Sequence, residues 1–362
     1  MYTRFGDNDI VTRQAQELVT STWSNNLNNL QVSYTSSAQA NFTTPTSSGT
    51  FFVDVYDKTI ETSVQGAADE TAEVQYSVAF GHKNGSGSSD FTNDTGSFGL
   101  GASRVTYNQF RQLHYNDDTK SFTFGSSTMN PDGIYIINVN RARYKQRLTK
   151  GSLNLNVSGT TAGLAATAQK VLHLTDDSVD TPAGAGTSNL GTYYNIVSGT
   201  NGTAYDSTTL QLGGSGSYGN FYPEAGLIIL NGDSFLKSGV GSELYPKTNP
   251  GGPATNLDFN HVTMSKHISA AGHFIVDTTE EINSQFYFCR VRNDQYNYTN
   301  NESFVDNNKN IRFETMKLNP KVFITTIGLY NDSFELMAVA KLSQPVAKDF
   351  TKEALIRVKL DY

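Results

Sequence analysis

The sequence predicts a mainly β protein of antiparallel sheets or sandwiches, with long Gly/Ser/Thr-rich loops and one or two short helices. Three observations carry that expectation. Charged residues make up only 17% of the 362 positions, and polarity comes instead from Ser, Thr, Asn and 31 glycines, against roughly 25% charge in an average domain. Aromatic residues are plentiful, with 19 Tyr and 21 Phe, and such side chains fit a pleated surface. Period-2 alternation recurs along the chain, each run bounded by Gly, Asn or Asp.

The clearest alternation is "EVQYSVAF", where Val74, Tyr76, Val78 and Phe80 fall on one face. "GTFFVDVYDK", "GIYIINVN", "GSLNLNVSG", "KVLHLTD", "GLIILNGD", "GHFIVDTT" and "FYFCRVRN" are further strand segments. Near the end, "KVFITTIGLYNDSFELMAVAKL" reads as two apolar strands folded back around "NDS", a hairpin with no His or Cys that serves as scaffold. Pro345 then ends the hairpin, and the closing residues add a last strand. One helix is expected from an N-cap at Ser103 through "RVTYNQFRQLHY", with Val105, Phe110 and Leu113 as its apolar stripe. A shorter helical piece is expected near "QAQELVTSTW".

The Gly/Ser-rich tracts at 81–103 and 181–220 exceed the usual length of a connection and are expected to be mobile in an isolated subunit. Composition shifts suggest three regions: 1–150, β-rich with a short helix; 151–280, β with long loops; and 281–362, strand-rich with the terminal hairpin. No repeat of fixed period is evident.

A net charge of −7 and a pI near 5.4 give no electrostatic case for nucleic acid or an anionic membrane. The first residues carry no apolar signal-peptide core, and no apolar run approaches the roughly 20 residues of a spanning helix, so the chain is expected to be made in the cytoplasm and not secreted. The single cysteine, Cys289, permits no intrachain disulfide and reads as a small buried strand residue.

Each formal motif has a plain alternative that fits better. Gly214-Ser-Gly-Ser-Tyr-Gly219 matches G-x-G-x-x-G, but Pro223 follows and no helix pattern develops to receive a pyrophosphate. His261, His267 and His273, six apart, lie too far from one another on a strand to share a metal, with "SAAG" turning the chain between the last two. The segment from Asp306 resembles a calcium loop, yet Ile311 replaces its glycine and Lys317 its bidentate glutamate, which leaves a polar turn. The acid pairs Asp117/Asp118, Asp176/Asp177 and Glu280/Glu281 would face opposite ways on strands. No catalytic residue, cofactor or metal is therefore expected. One cluster invites a contact: Arg141, Arg143, Lys145 and Arg147, placed by alternation on one strand face and expected to meet an acidic patch of a neighbouring subunit.

The segments "RVRNDQYNYTNNESFV", "GLYNDSFELMAVAKLSQPVAKDFTKEALIRVKLDY", "VQYSVAFGHKNGSGS", "YIINVNRARYKQRL" and "GNFYPEAGLIILNG" resemble virion structural proteins of contractile-tailed, T-even-like marine cyanophages. That resemblance spreads over most of the chain and is least in 180–260. It implies a non-enzymatic tail or baseplate component, in the wedge region, that sits in a sixfold assembly with other virion proteins and uses no nucleic acid, membrane or small-molecule substrate. A receptor-binding or decoration protein and a tail-associated glycan hydrolase are the alternatives. The first would leave the long loops exposed, and the second would need two acids converging on a cleft.

Overall fold

The computed structural model describes residues 3–6, 8–23, 33–34, 52–57, 73–85, 102–125, 131–160, 169–205, 218–237, 260–271, 274–298 and 302–362. The chain is mainly β, with antiparallel sheets. Its strands are β1 (Ile10–Ser21), β2 (Ser33–Tyr34), β3 (Phe52–Tyr56), β4 (Val74–His82), β5 (Gly133–Val139), β6 (Arg147–Leu148), β7 (Asn154–Thr160), β8 (Gln169–Asp176) and β9 (Gly186–Ser188). They continue with β10 (Gly191–Thr200), β11 (Thr203–Ala204), β12 (Gly219–Tyr222), β13 (Leu227–Asn231), β14 (Phe274–Ile275), β15 (Asp277–Val291), β16 (Val322–Tyr330), β17 (Leu336–Lys348) and β18 (Ala354–Asp361). The helices are α1 (Ala102–Tyr115), α2 (Gly232–Lys237), α3 (Asn260–Ala271) and α4 (Thr315–Leu318).

Two compact units divide the chain: Leu18–Glu280, and a second made of Met1–Glu17 with Glu281–Tyr362. In the first unit a sheet runs in the order β14-β7-β8-β10-β12-β13-β5-β4-β3-β2 and curls into a half-barrel. Every registered pair in it is antiparallel. The central strands explain their own composition. "GIYIINV" and "LIILN" are near-continuous apolar runs because both faces of β5 and β13 are covered. Tyr135, Ile137, Ile228 and Leu230 enter one core with Tyr76, Val78, Phe80 and Trp23. Ile134, Ile136, Leu227 and Ile229 enter a second core with Tyr107, Phe122 and Phe124.

Glycine fixes two close approaches. A Cβ at Gly81 would lie 2.9 Å from the backbone nitrogen of Tyr107, so only glycine lets α1 settle on β4. At Gly219, φ is +152°, and a Cβ would meet the Ile229 carbonyl of the neighbouring strand at 2.1 Å. The formal G-x-G-x-x-G therefore ends in a strand, β12, not in a helix; Gly214–Ser217 lie outside the described residues.

The second unit holds the pairing of β15 with β18, from Ser284↔Asp361 to Val291↔Ala354, and the two-stranded ribbon β16-β17. Lys348 is fully buried at the end of β17. Its ammonium donates to the carbonyl of Asn293 at 3.0 Å and to Asn297 Oδ1 at 2.6 Å, pinning the 293–297 turn to the ribbon. Burial lowers the pKa of that ammonium.

Several sequence expectations change. "QAQELVTSTW" belongs to β1 up to Ser21, because pairing with β15 overrides the helix preference of Gln, Ala, Glu and Leu. The helix at Ser103 exists, but Ser103 lies inside it and is buried. Its inward face is Tyr107, Arg111 and His114, with the expected Phe110 packed half-buried against the second core, whereas Val105 is exposed. The 181–220 tract contains β9, β10 and β11, hydrogen-bonded to one another and to the sheet, in its described part. Most of 81–103 lies outside the described residues. Pro345 does not end the hairpin. β17 continues to Lys348, and the register skips from Thr326↔Lys341 to Ile324↔Val346, so a bulge in β17 absorbs the residue without an N–H.

Candidate interaction surfaces

The basic cluster does not form one strand face. Arg141–Arg143 is a single 3-10 turn, opened by Asn140, whose Oδ1 accepts the Ala142 N–H at 3.0 Å, and only Arg147 enters a strand. Arg141 lays its guanidinium over the Tyr144 ring, 4.6 Å from its centroid, and donates to the Tyr144 carbonyl at 2.7 Å. Arg143 is 17% exposed and ion-pairs with Glu73, at 2.5 Å. Lys145 donates its backbone N–H to Thr278 Oγ1 and holds its ammonium 4.0 Å from Glu280. The alternation was real in the letters, but Asn140 is a capping residue and diverts the backbone. Arg141 and Lys145 remain exposed, on either side of Tyr144.

The acid pairs are occupied by local structure. Asp176 is fully buried and takes the Gly151 N–H on both oxygens and the Ser178 N–H on Oδ1. Asp177 accepts the backbone N–H and side-chain amide of Asn195. Burial raises both carboxyl pKa values, against the pull of those donors. Asp117 accepts from the backbone and hydroxyl of Thr119 in a turn after α1. Glu280 faces Lys145. Asp306 Oδ1 accepts the N–H groups of Asn308 and Asn310, each at 2.8 Å, with Lys309 left-handed at φ 63°, which is the expected polar turn.

His261 and His267 sit on a helix, α3, not on a strand; Ser269–Ala271 are its last residues, and Gly272 of the expected turn lies outside the described residues. His273 lies outside the described residues. His261 is buried, with its pKa pushed down to about 4 by desolvation, while His267 exchanges bonds with Ser158 on β7. Among the described residues no group of three or more His, Cys, Asp or Glu could hold a metal ion, and no helix is long and apolar enough to cross a membrane. Cys289 is half-buried on β15, paired with Ile356, and burial followed by the charge of Asp9 raises its thiol pKa.

The largest departure from an ordinary domain lies in the second unit. Its buried apolar residues are Phe304, Leu329, Ala354 and Val358 among the described residues, and both core clusters belong entirely to the other unit. Its exposed ones include Phe313, Leu318 (94% exposed), Phe350 and Leu355, besides much of the ribbon. Sequence reading passed over these residues because alternation signals a strand without saying that anything covers its face. The available signal was β16 itself, whose nine residues contain no charge. Comparison of the chain with protein-family models, with curated proteins and with solved structures finds no match.

Proposed function

We propose that this chain is a non-enzymatic structural subunit of a contractile-tailed phage virion, placed in the tail baseplate, that acts through contacts with other virion proteins. The observation that carries the assembly part is the second unit, which among its described residues has four buried hydrophobic side chains and a surface set with large exposed ones. Single exposed apolar residues are ordinary, but a concentration of them on a unit with so little interior marks a surface completed by other chains. The resemblance supplies the tail and baseplate terms. Arg141 and Lys145, exposed beside Tyr144, are the members of the basic cluster that suit a contact with an acidic neighbour.

Hydroxyl-radical footprinting of Phe313, Leu318 and Leu355 tests this reading, because all three lie outside the ribbon and are exposed in the free chain. The expected result is strong labelling of the purified subunit and loss of labelling in intact particles. Equal labelling in both states would overturn the proposal.

A further inference from the structure

We propose that Lys348 and Asn297 become joined by an isopeptide bond, formed by attack of the lysine amine on the asparagine carboxamide with release of ammonia. The cross-link forms once, within the chain, and goes beyond the assembly reading without resting on it.

The reacting groups are already in contact. Lys348 Nζ donates to Asn297 Oδ1 at 2.6 Å and to the Asn293 carbonyl at 3.0 Å. With a C=O bond of about 1.23 Å, the carboxamide carbon lies roughly 3–3.5 Å from Nζ, the separation of a near-attack pair.

Backbone structure holds both partners in place. Lys348 pairs with Val322 at the base of the ribbon. Asn297 is folded back on its own turn, where its Nδ2 donates to the same Asn293 carbonyl at 2.7 Å. The residue before it, Tyr296, is left-handed at φ 55°. A bulky side chain rarely takes that conformation unless its surroundings require it. Asn293 Nδ2 donates in turn to the Phe350 carbonyl at 2.9 Å, fastening the turn to the chain just beyond Lys348.

The surroundings suit the chemistry. Among the lysines of the second unit only Lys348 is buried. Burial favours its free amine over the ammonium, against the charges of Asp294 and Asp349, and a desolvated lysine is a competent nucleophile. The ammonium passes one proton to a neighbouring carboxylate, that of Asp294 or Asp349. The amine lone pair attacks Asn297 Cγ, and the carbonyl electrons move onto Oδ1. The carboxyl group protonates Nδ2, the carbonyl re-forms, and the Cγ–Nδ2 bond breaks to release ammonia, which takes the surplus proton from the new amide. One C–N bond forms and one breaks, with no change of oxidation state and no co-reactant.

The cross-link meets a need of this unit. Its described residues bury few apolar side chains, and the single cysteine permits no intrachain disulfide. Units with small cores are commonly held by covalent links. A bond between 297 and 348 ties the turn after β15 to the base of the ribbon, across α4 and β16.

Mass spectrometry of the purified full-length chain, denatured, should find it lighter than its sequence mass by one ammonia. Trypsin should release one branched peptide, Asn293–Lys309 joined to Leu342–Lys352, because a bonded Lys348 is not cleaved. Both readings are made on the unaltered protein, so neither depends on a variant that folds. Lys348→Arg and Asn297→Ala should each restore the full mass and abolish the branched peptide. Full mass with two unjoined peptides overturns the inference. So does an ammonia loss that persists in Lys348→Arg, since it would mark cyclisation of an asparagine elsewhere.

Discussion

Reversing Arg143 tests whether the basic cluster serves the fold or a neighbour. Arg143 ends the 3-10 turn after Asn140 and pairs with Glu73, whose backbone N–H is held by Asp57 Oδ1 at the mouth of β3 and β4. With the guanidinium 17% exposed and the carboxylate 55% exposed, the pair lies between a surface bridge and a buried one. Surface pairs are worth roughly 0–1 kcal/mol, and breaking a buried one costs about 3–5 kcal/mol. Arg143→Met is therefore expected to cost about 1–2 kcal/mol, and Arg143→Glu about 2–3 kcal/mol, since it adds repulsion. In a unit of this size, 2 kcal/mol lowers Tm by about 4–8 °C. The single tryptophan, Trp23, is buried against Tyr76 and Phe274 in the same unit and gives the fluorescence readout. A double-mutant cycle with Glu73→Gln should return a coupling near 1 kcal/mol, and the swap Arg143→Glu with Glu73→Arg should recover at least half of the loss. A coupling of zero, with Arg143→Glu costing under about 0.5 kcal/mol, would refute the assignment of Arg143 to the fold.

Three further outcomes follow from the same structure. Gly81→Val should cost about 1–3 kcal/mol by forcing α1 off β4, read as a lower urea midpoint with the fold retained. His114 and His261 are buried neutral, with pKa values pushed down to about 4. The unfolded chain therefore binds more protons below pH 6.5, and stability should fall by about 2–3 kcal/mol per histidine between pH 6.5 and 4. The raised carboxyls of Asp176 and Asp177 act in the opposite sense and soften the acid end. Urea midpoints should show this slope, and His261→Gln should flatten it; a flat wild-type profile would contradict it. Cys289, with its raised thiol pKa, should react with an aromatic disulfide more slowly than a free thiol at pH 8 and reach the free rate in urea.

The strands were legible because their physics is local. In β4, Tyr76, Val78 and Phe80 alternate and enter one core as their spacing implies, and β5 and β13 announced two covered faces by their unbroken apolar runs. What escaped depends on partners distant in sequence. β1 is a strand because β15 lies beside it, although its residues favour a helix. α3 hid in "NHVTMSKHISAA", whose β-branched, Ser and His residues give a weak helix signal. The inward face of α1 was legible only in Phe110, which packs against the second core; Arg111 and His114 count as polar, yet both are buried. The guanidinium lies 5.8 Å from the Tyr107 ring centroid, and His114 Nδ1 is bonded to the Tyr222 hydroxyl at 2.9 Å. The basic cluster failed as a strand face because one capping residue, Asn140, outweighed its alternation.

Copy number in purified particles tests the central claim, that this chain is a stoichiometric part of a sixfold baseplate. Quantitative mass spectrometry against a tail-tube or capsid protein of known count should return a small multiple of six. Hundreds of copies would move the chain to the sheath or capsid, and its absence from washed particles would contradict the account outright.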